Sequence, residues 1–279
     1  NTEDKAFYLR MAKAFLTVPK KPAYDFMSAM CSFMLIFALD GSDSPGRFDQ
    51  YMYPAYLKTE NKEEVIDLLD RLWDYFKDHR SWNLCISGSD ENWLDESNEL
   101  TYAILEMVRK KGYNTPNLTC RVHRNTPDKL WNAIADTLSV GTGLPALYND
   151  DVVCVALEKI GIPPKDSHDY CMNGCNQIDI QGKSHMGLED GEVFLAKAVE
   201  YTLFNGYSPY KQKDLSIKTG DPTEFKTYDE FYAAVIKQLD YLTDTVTAKS
   251  NAAQELFAKE APNPFRSAFI EGCIEKGLE

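Results

Sequence analysis

The sequence predicts an α/β fold in which helix outweighs strand and short strands, buried on both faces, lie beneath outer helices. Three observations carry this. Long segments place apolar residues at helical spacing, and short apolar or β-branched runs bounded by turn formers stand between them. No internal repeat, low-complexity segment or linker divides the 279 residues. Helices alternating with near-continuous apolar strands are the pattern of a sheet covered by its own crossover helices.

Residues 5–15 alternate charged and apolar groups at helical spacing until Val18-Pro19 and Lys21-Pro22 break the pattern. Residues 23–39 are nearly uncharged and rich in Met and Phe, a helix apolar on most sides and suited to the middle of a large protein. Residues 41–46 are a loop by composition, and 47–54 an aromatic segment that Pro54 ends or kinks. Residues 63–79 form an amphipathic helix with Val65, Leu68, Leu69, Leu72, Trp73 and Phe76 on one face. Residues 82–86 read as a buried strand feeding the Ser87-Gly88-Ser89 loop. A helix over 97–110 is capped by Ser97 or Asn98, and 117–123 is a strand by alternation and β-branching. Residues 127–140 are a helix with proline in its first turn, and 144–148 a short buried piece. The helix over 150–160 is stopped by Gly161 and Pro163-Pro164. Residues 190–205 are helical up to Gly206, 207–227 are a polar loop, and helices cover 228–258 and 264–276.

A net charge of −13 and a pI near 4.8 exclude nucleic acid and anionic membrane surfaces as natural partners. The longest apolar run, around residues 33–39, is too short to span a bilayer, and no signal peptide is visible. Seven cysteines in no framework spacing fit a reducing cytosol. The first residue is Asn and the chain opens directly on a helical pattern, so we expect a piece of something longer.

The chemistry concentrates in Asp169-Tyr170-Cys171-Met172-Asn173-Gly174-Cys175-Asn176-Gln177. Asn-Gly is a turn former, which puts Cys175 on a short loop. Taken alone, an intracellular cysteine is most often a small buried hydrophobe. Cys171 and Cys175 are spaced C-x3-C, whereas zinc and redox pairs favour other spacings and an iron–sulfur site needs a third nearby cysteine. No metal site is predicted. His168 and His185 are near in sequence, but nothing local supports a Cys–His pair. There is no P-loop, no dinucleotide glycine pattern and no H-E-x-x-H. His123 reads as a strand histidine satisfied by backbone, His79 and His168 as solvent-facing, and Cys85 as packing.

This loop, with Gln181-Gly182-Lys183 and then Glu192-Val193-Phe194-Leu195-Ala196-Lys197-Ala198 after it, resembles the radical-cysteine loop of glycyl radical enzymes. That superfamily includes pyruvate formate-lyase and the glycerol and choline lyases. Gly46-Arg47-Phe48-Asp49-Gln50-Tyr51-Met52-Tyr53-Pro54 resembles the family's G-R-x-D-Q-Y-x-Y-P segment. The runs at 97–102, 121–123 and 267–275 are similar to family segments in the same order, so the resemblance covers nearly the whole chain. It implies a portion of a ten-stranded β/α barrel, two parallel half-sheets wrapped by helices, with the cysteine loop inside. It also implies a mechanism of anaerobic metabolism. A radical stored on a backbone glycine takes hydrogen from the cysteine, and the resulting thiyl takes hydrogen from a small-molecule substrate. The bond strengths involved make each transfer nearly thermoneutral, and a thiyl needs a dry interior. The implied cofactor is the glycyl radical, installed by a radical S-adenosylmethionine activating enzyme, and the implied assembly is a homodimer.

The resemblance assigns Cys175 as the hydrogen-abstracting residue and Gly174 as the loop-tip glycine. It gives substrate contacts to Gln177, Asn176 and Glu192. Glu192 falls at a pocket-wall position by its spacing from Gly182; its other reading is a solvated carboxylate in the first turns of a helix. Two departures stand out. The family's R-V-x-G-Y-like glycine loop is absent, so residues 1–279 read as the central part of the family domain, without its N-terminal third and its glycyl radical domain, and inert alone. Where the diol, choline and hydroxyproline lyases carry G-C-x-E-P, this chain has Gln177-Ile178, and an amide cannot take a proton at neutral pH. The expectation is a glycyl radical lyase that is not a standard Glu-dependent dehydratase. The alternatives are formate C-acetyltransferase, whose two adjacent cysteines are here Gly174-Cys175, and an inert structural or partner-binding fragment.

Overall fold

The computed structural model describes residues 2–41, 44–79, 81–175, 177–183 and 191–277. The chain falls into two compact units, Asn1–His185 with Phe269–Glu271, and Met186–Ala268 with Gly272–Glu279. The first unit opens with helices α1 (Thr2–Phe15) and α2 (Phe26–Asp40). Strand β1 (Gly46–Arg47) leads through the short helices α3 (Phe48–Tyr51) and α4 (Tyr53–Lys58) to α5 (Lys62–His79). Strand β2 (Asn83–Ser87), helix α6 (Glu99–Lys111), strand β3 (Asn117–Val122), helix α7 (Asp128–Leu138) and strand β4 (Ala146–Asn149) follow in strict alternation. Helices α8 (Asp150–Lys159) and α9 (Pro164–Ser167) then deliver the chain to strands β5 (Tyr170–Asn173) and β6 (Gln177–Ile180).

Strands β1 to β4 form one parallel sheet in sequential order, with Asn83 opposite Asn117 and Thr119 opposite Ala146. Sequential parallel strands joined by crossovers of one hand place their helices on one face. The side chains agree. Leu84, Ile86, Leu118, Cys120 and Val122 point into a core shared with Phe26, Trp73, Phe76, Leu100, Ile104 and Leu130 of the helices. The alternate positions, Asn83, Cys85, Ser87, Thr119 and Arg121, form an equally buried but mostly polar inner face. The β5–β6 hairpin packs there, against β1 and β2.

The second unit holds helix α10 (Leu195–Leu203), the small antiparallel pair β7 (Tyr207–Ser208) and β8 (Lys213–Asp214), and the long helix α11 (Tyr228–Glu260). Single-turn helices α12 (Pro264–Ser267) and α13 (Cys273–Lys276) close the described chain. Among the described residues, no helix is long and apolar enough to cross a membrane.

Several expectations need correction. The helix expected over 190–205 is described from Leu195: residues 191–194 carry no regular structure, and Phe194 offers no capping side chain. The segment 264–276 is two single turns because Gly272, at φ 87°, interrupts it. The polar loop 207–227 contains the β7–β8 pair. The piece at 144–148 is an edge strand with alternate residues exposed, since β4 has one neighbour among the described strands. His168 is buried, not solvent-facing: its ring meets Trp93 edge-on at 4.8 Å, and its Nδ1 lies 3.0 Å from Ser89 Oγ. His123 is buried with one ring nitrogen taking the Asn125 N–H and the other facing the Asp95 carboxylate, so backbone satisfies only half of it. His79 is exposed.

Candidate active site

The site is built on the β5–β6 hairpin, whose pairs run from Tyr170 opposite Ile180 to Asn173 opposite Gln177. Tyr170, Met172 and Ile180 bury one side of it with Cys154. Buried arginines fix its base. Arg47 donates to Asp169 Oδ1 at 2.6 Å, to the His168 carbonyl at 3.3 Å and to Glu96 Oε2 at 2.5 Å, while its own backbone N–H is accepted by Gln181 Oε1 at 2.9 Å. Arg121 makes two hydrogen bonds of 2.9 Å to the Asp150 carboxylate, donates to the Tyr170 carbonyl at 3.0 Å and lies 4.0 Å over the Tyr170 ring. The guanidinium has room only because residue 88 is glycine. A Cβ there would sit 2.6 Å from the Arg121 Cζ, on a backbone at φ 116°.

At the other end the hairpin turns through Gly174 and Cys175, as the Asn-Gly pair predicted. Gly174 has φ 55°, in the left-handed region where a side chain is strained. Its N–H donates to Ser44 Oγ at 3.0 Å, and the Cys175 carbonyl accepts from the side-chain amides of Asn83 and Asn117, each at 3.4 Å. Cys175 is the exposed cysteine of the seven; five others are buried and Cys273 is half-buried. It opens on a cavity of about 690 Å³ whose lining includes Trp82, Ser81, Thr115, Asn114, Asn117 and Lys77.

The other thiols are of a different kind. Burial pushes the Cys85 thiol up to about 12 and raises that of Cys171 further, so both are protonated packing groups at neutral pH. Cys171 therefore lies inside the hairpin while Cys175 stands at its tip, which is not the arrangement of a working thiol pair. Asp150, Cys154 and His168 place potential ligand atoms within 4.8 Å of one another. Yet the Asp150 oxygens already accept from Arg121, Tyr170 and Ser89, and burial pushes the Cys154 thiol up to about 12. A cation there would face a guanidinium and a neutral thiol, so this cluster is structural.

Gln177 closes the hairpin, half-buried, and its Oε1 is buried with no hydrogen-bond partner among the described residues. Asn176 lies outside the described residues. Glu192 is in the second unit, exposed, in the irregular residues before α10 rather than in a helix. Sequence reasoning missed Ser44, Asn83, Asn117, Thr119, Arg47, Arg121 and Asp150 as parts of the site. A usable trace was present: polar residues at spacing two, Asn83–Cys85–Ser87 and Asn117–Thr119–Arg121, inside runs read as buried strands.

Comparison with known proteins agrees with this architecture. The pyruvate formate lyase-like family matches residues 1–279. Isethionate sulfite-lyase of Oleidesulfovibrio alaskensis is 26% identical over 309 residues, covering 100% of this chain and 37% of that protein. Trans-4-hydroxy-L-proline dehydratase of Clostridioides difficile is 29% identical over 258 residues, covering 85% of this chain and 33% of that protein. A solved glycyl radical enzyme from Archaeoglobus fulgidus superposes with a TM-score of 0.86 at 26% identity, covering 97% of this chain and 38% of the other. The chain thus spans about a third of the length of the curated relatives it matches. Matched over its whole length, and folded as a portion of the glycyl radical enzyme α/β barrel, this chain belongs to the pyruvate formate lyase-like family.

Proposed function

We propose that this chain is the thiol-bearing part of a glycyl radical lyase, in which Cys175 carries a hydrogen atom to and from a carbon of a small-molecule substrate. The observation that carries the reading is the placement of Cys175. It is the exposed cysteine, at the tip of a hairpin whose other thiol is buried, and it opens on a cleft lined by Trp82, Thr115 and Asn117.

A glycyl radical suits this tip because the Cys175 side chain is accessible and, among the described residues, no hydrogen bond engages its sulfur. When present, such a radical supplies an acceptor for one hydrogen atom and a source for its return. The Cys175 sulfur, left with an unpaired electron, takes a hydrogen atom from a substrate carbon, and gives one back once the C–X or C–C bond has been cleaved or formed. Gln177 orients the substrate. Its unpartnered Oε1 is a buried acceptor that a substrate hydroxyl or amine would satisfy, and such orphan groups are costly when left dry. Because an amide cannot take a proton, deprotonation by the residue two after the cysteine is not part of this mechanism. Asn176 and Glu192 keep the substrate-contacting roles that the family resemblance gives them. A formate C-acetyltransferase chemistry, which uses two adjacent cysteines, is disfavoured because residue 174 is a glycine and offers no thiol. The partners in this reading are a radical S-adenosylmethionine activating enzyme and a second copy of the complete protein.

The test is anaerobic activation of the complete protein by such an activase, followed by electron paramagnetic resonance and substrate screening. A glycyl doublet with turnover is expected, and Cys175→Ser should keep the doublet and abolish turnover. No doublet, or full turnover in the serine variant, overturns the proposal.

A further inference from the structure

The hairpin tip is held on both sides of the Gly174-Cys175 pair, at the peptide that enters Gly174 and at the peptide that leaves Cys175. Ahead of it, the Gly174 N–H donates to Ser44 Oγ at 3.0 Å. Behind it, the Cys175 carbonyl accepts from Asn83 Nδ2 and Asn117 Nδ2, each at 3.4 Å. The anchors are also tied to one another. Ser44 Oγ takes the Asn83 backbone N–H at 3.4 Å, the Thr119 hydroxyl donates to Asn83 Oδ1 at 2.9 Å, and Asn83 and Asn117 are register partners at the start of β2 and β3.

Chemistry fixes the orientation of the Asn83 amide. A carbonyl can only accept, so the amide nitrogen must face Cys175, and the amide oxygen turned the other way needs the donor that Thr119 supplies. Asn83 and Thr119 are wholly buried on the sheet's inner face. Folding alone does not ask for two amides and a hydroxyl there, since apolar side chains could fill the same face without needing partners. What the polar set accomplishes is to immobilise a loop tip that would otherwise be free to swing.

We propose that Ser44, Asn83 and Asn117 are positioning residues that aim the Cys175 sulfur. The inference rests on the reading of Cys175 as hydrogen-atom carrier. The direction of a Cα–Cβ bond is set by the peptide planes flanking it: Asn83 and Asn117 hold the plane that follows Cys175, and Ser44 holds the peptide on the far side of Gly174, so the tip is pinned at both ends. Hydrogen-atom transfer requires near contact, and a misplacement of about 1 Å can cost on the order of 100-fold in rate.

The experiment uses the complete protein, activated anaerobically, with Ser44→Ala, Ser44→Thr and Asn83→Leu. The expected result is a glycyl doublet of wild-type amplitude in all three. For Ser44→Ala and Asn83→Leu, kcat should fall at least about 10-fold with KM within about threefold, since aim rather than binding is lost. Ser44→Thr, which retains the hydroxyl, should recover most of the rate. Wild-type kcat in the alanine and leucine variants overturns the proposal. So does a parallel fall of radical yield, kcat and melting temperature that Ser44→Thr fails to rescue, because that pattern marks a structural role. If the wild type itself gives no doublet, the hydrogen-carrier reading fails first and takes this inference with it; that failure is visible before any substitution is made.

Discussion

Arg121 and Asp150 are both wholly buried, and each can remain charged because the other is there. Burial pushes the Asp150 carboxyl up. The Arg121 charge and hydrogen bonds, with those from Tyr170 and Ser89, outweigh burial and hold it below the ordinary carboxylate value. The folded carboxyl therefore binds its proton more weakly than the unfolded one. Its stabilisation is present in full above the unfolded value of about 3.9 and is lost as pH falls through the lower folded value. Arg121→Met leaves a buried carboxylate without its countercharge and should cost about 3–5 kcal/mol in urea unfolding at neutral pH. Arg121→Met combined with Asp150→Leu should cost less than the single change, because no charge is stranded. The deficit of the single variant should narrow towards about pH 3.5, where the stranded carboxyl is protonated. A deficit that stays constant with pH would mean that the pair is not what ties β5 to the sheet.

Elements with their own hydrophobic period were legible in the sequence; those defined by a distant partner were not. Helix α5 declared itself through Val65, Leu68, Leu69, Leu72, Trp73 and Phe76, all buried on one face. Strand β2 was found from its apolar run and expected to supply a pocket wall, and β3 from alternation and β-branching; which of their residues face the core and which the hairpin appears once register is known. Strand β1 is two residues long and is held by its pairing with β2 and by the Arg47 backbone N–H donating to the Gln181 side chain, partners that meet only in the folded chain. Period-two reading could not find it. The burial of His168 escaped for the same reason, since its partners Ser89 and Trp93 lie far away in sequence. Of the site, Cys175, Gly174 and Gln177 were legible because turn chemistry and motif are local. The amides around them were not, because an isolated Asn carries no record of what it will face. The two faces of a strand should also respond differently to substitution. Leu118→Ala, on the core face, should cost about 2–5 kcal/mol in equilibrium unfolding. Thr119→Val, on the inner face, strands the Asn83 oxygen and should cost about 1–3 kcal/mol. Equal and negligible losses would contradict the two-faced description.

In the first unit the parallel sheet runs in chain order, each strand joined to the next by helices packed on one side. Strands β2 and β3 have a strand on each side, helices on one face and the hairpin or its buried partners on the other. Amide hydrogen exchange on the complete protein should therefore find its slowest sites in Asn83–Ser87 and Asn117–Val122, opening near the global unfolding limit. The two-residue pair Tyr207–Ser208 and Lys213–Asp214, exposed at three of its four positions, should exchange faster by orders of magnitude. Comparable protection in both would remove the distinction between a sheet core and a surface hairpin. The division of each strand into an apolar and a polar side has a consequence for strand pairing. Residues that meet the helices fill the core, and residues that meet the hairpin seat it on the sheet, yet they alternate along the same few positions. A slip of one residue in the pairing of these strands would therefore exchange the two sets and undo the core and the seat of the hairpin together.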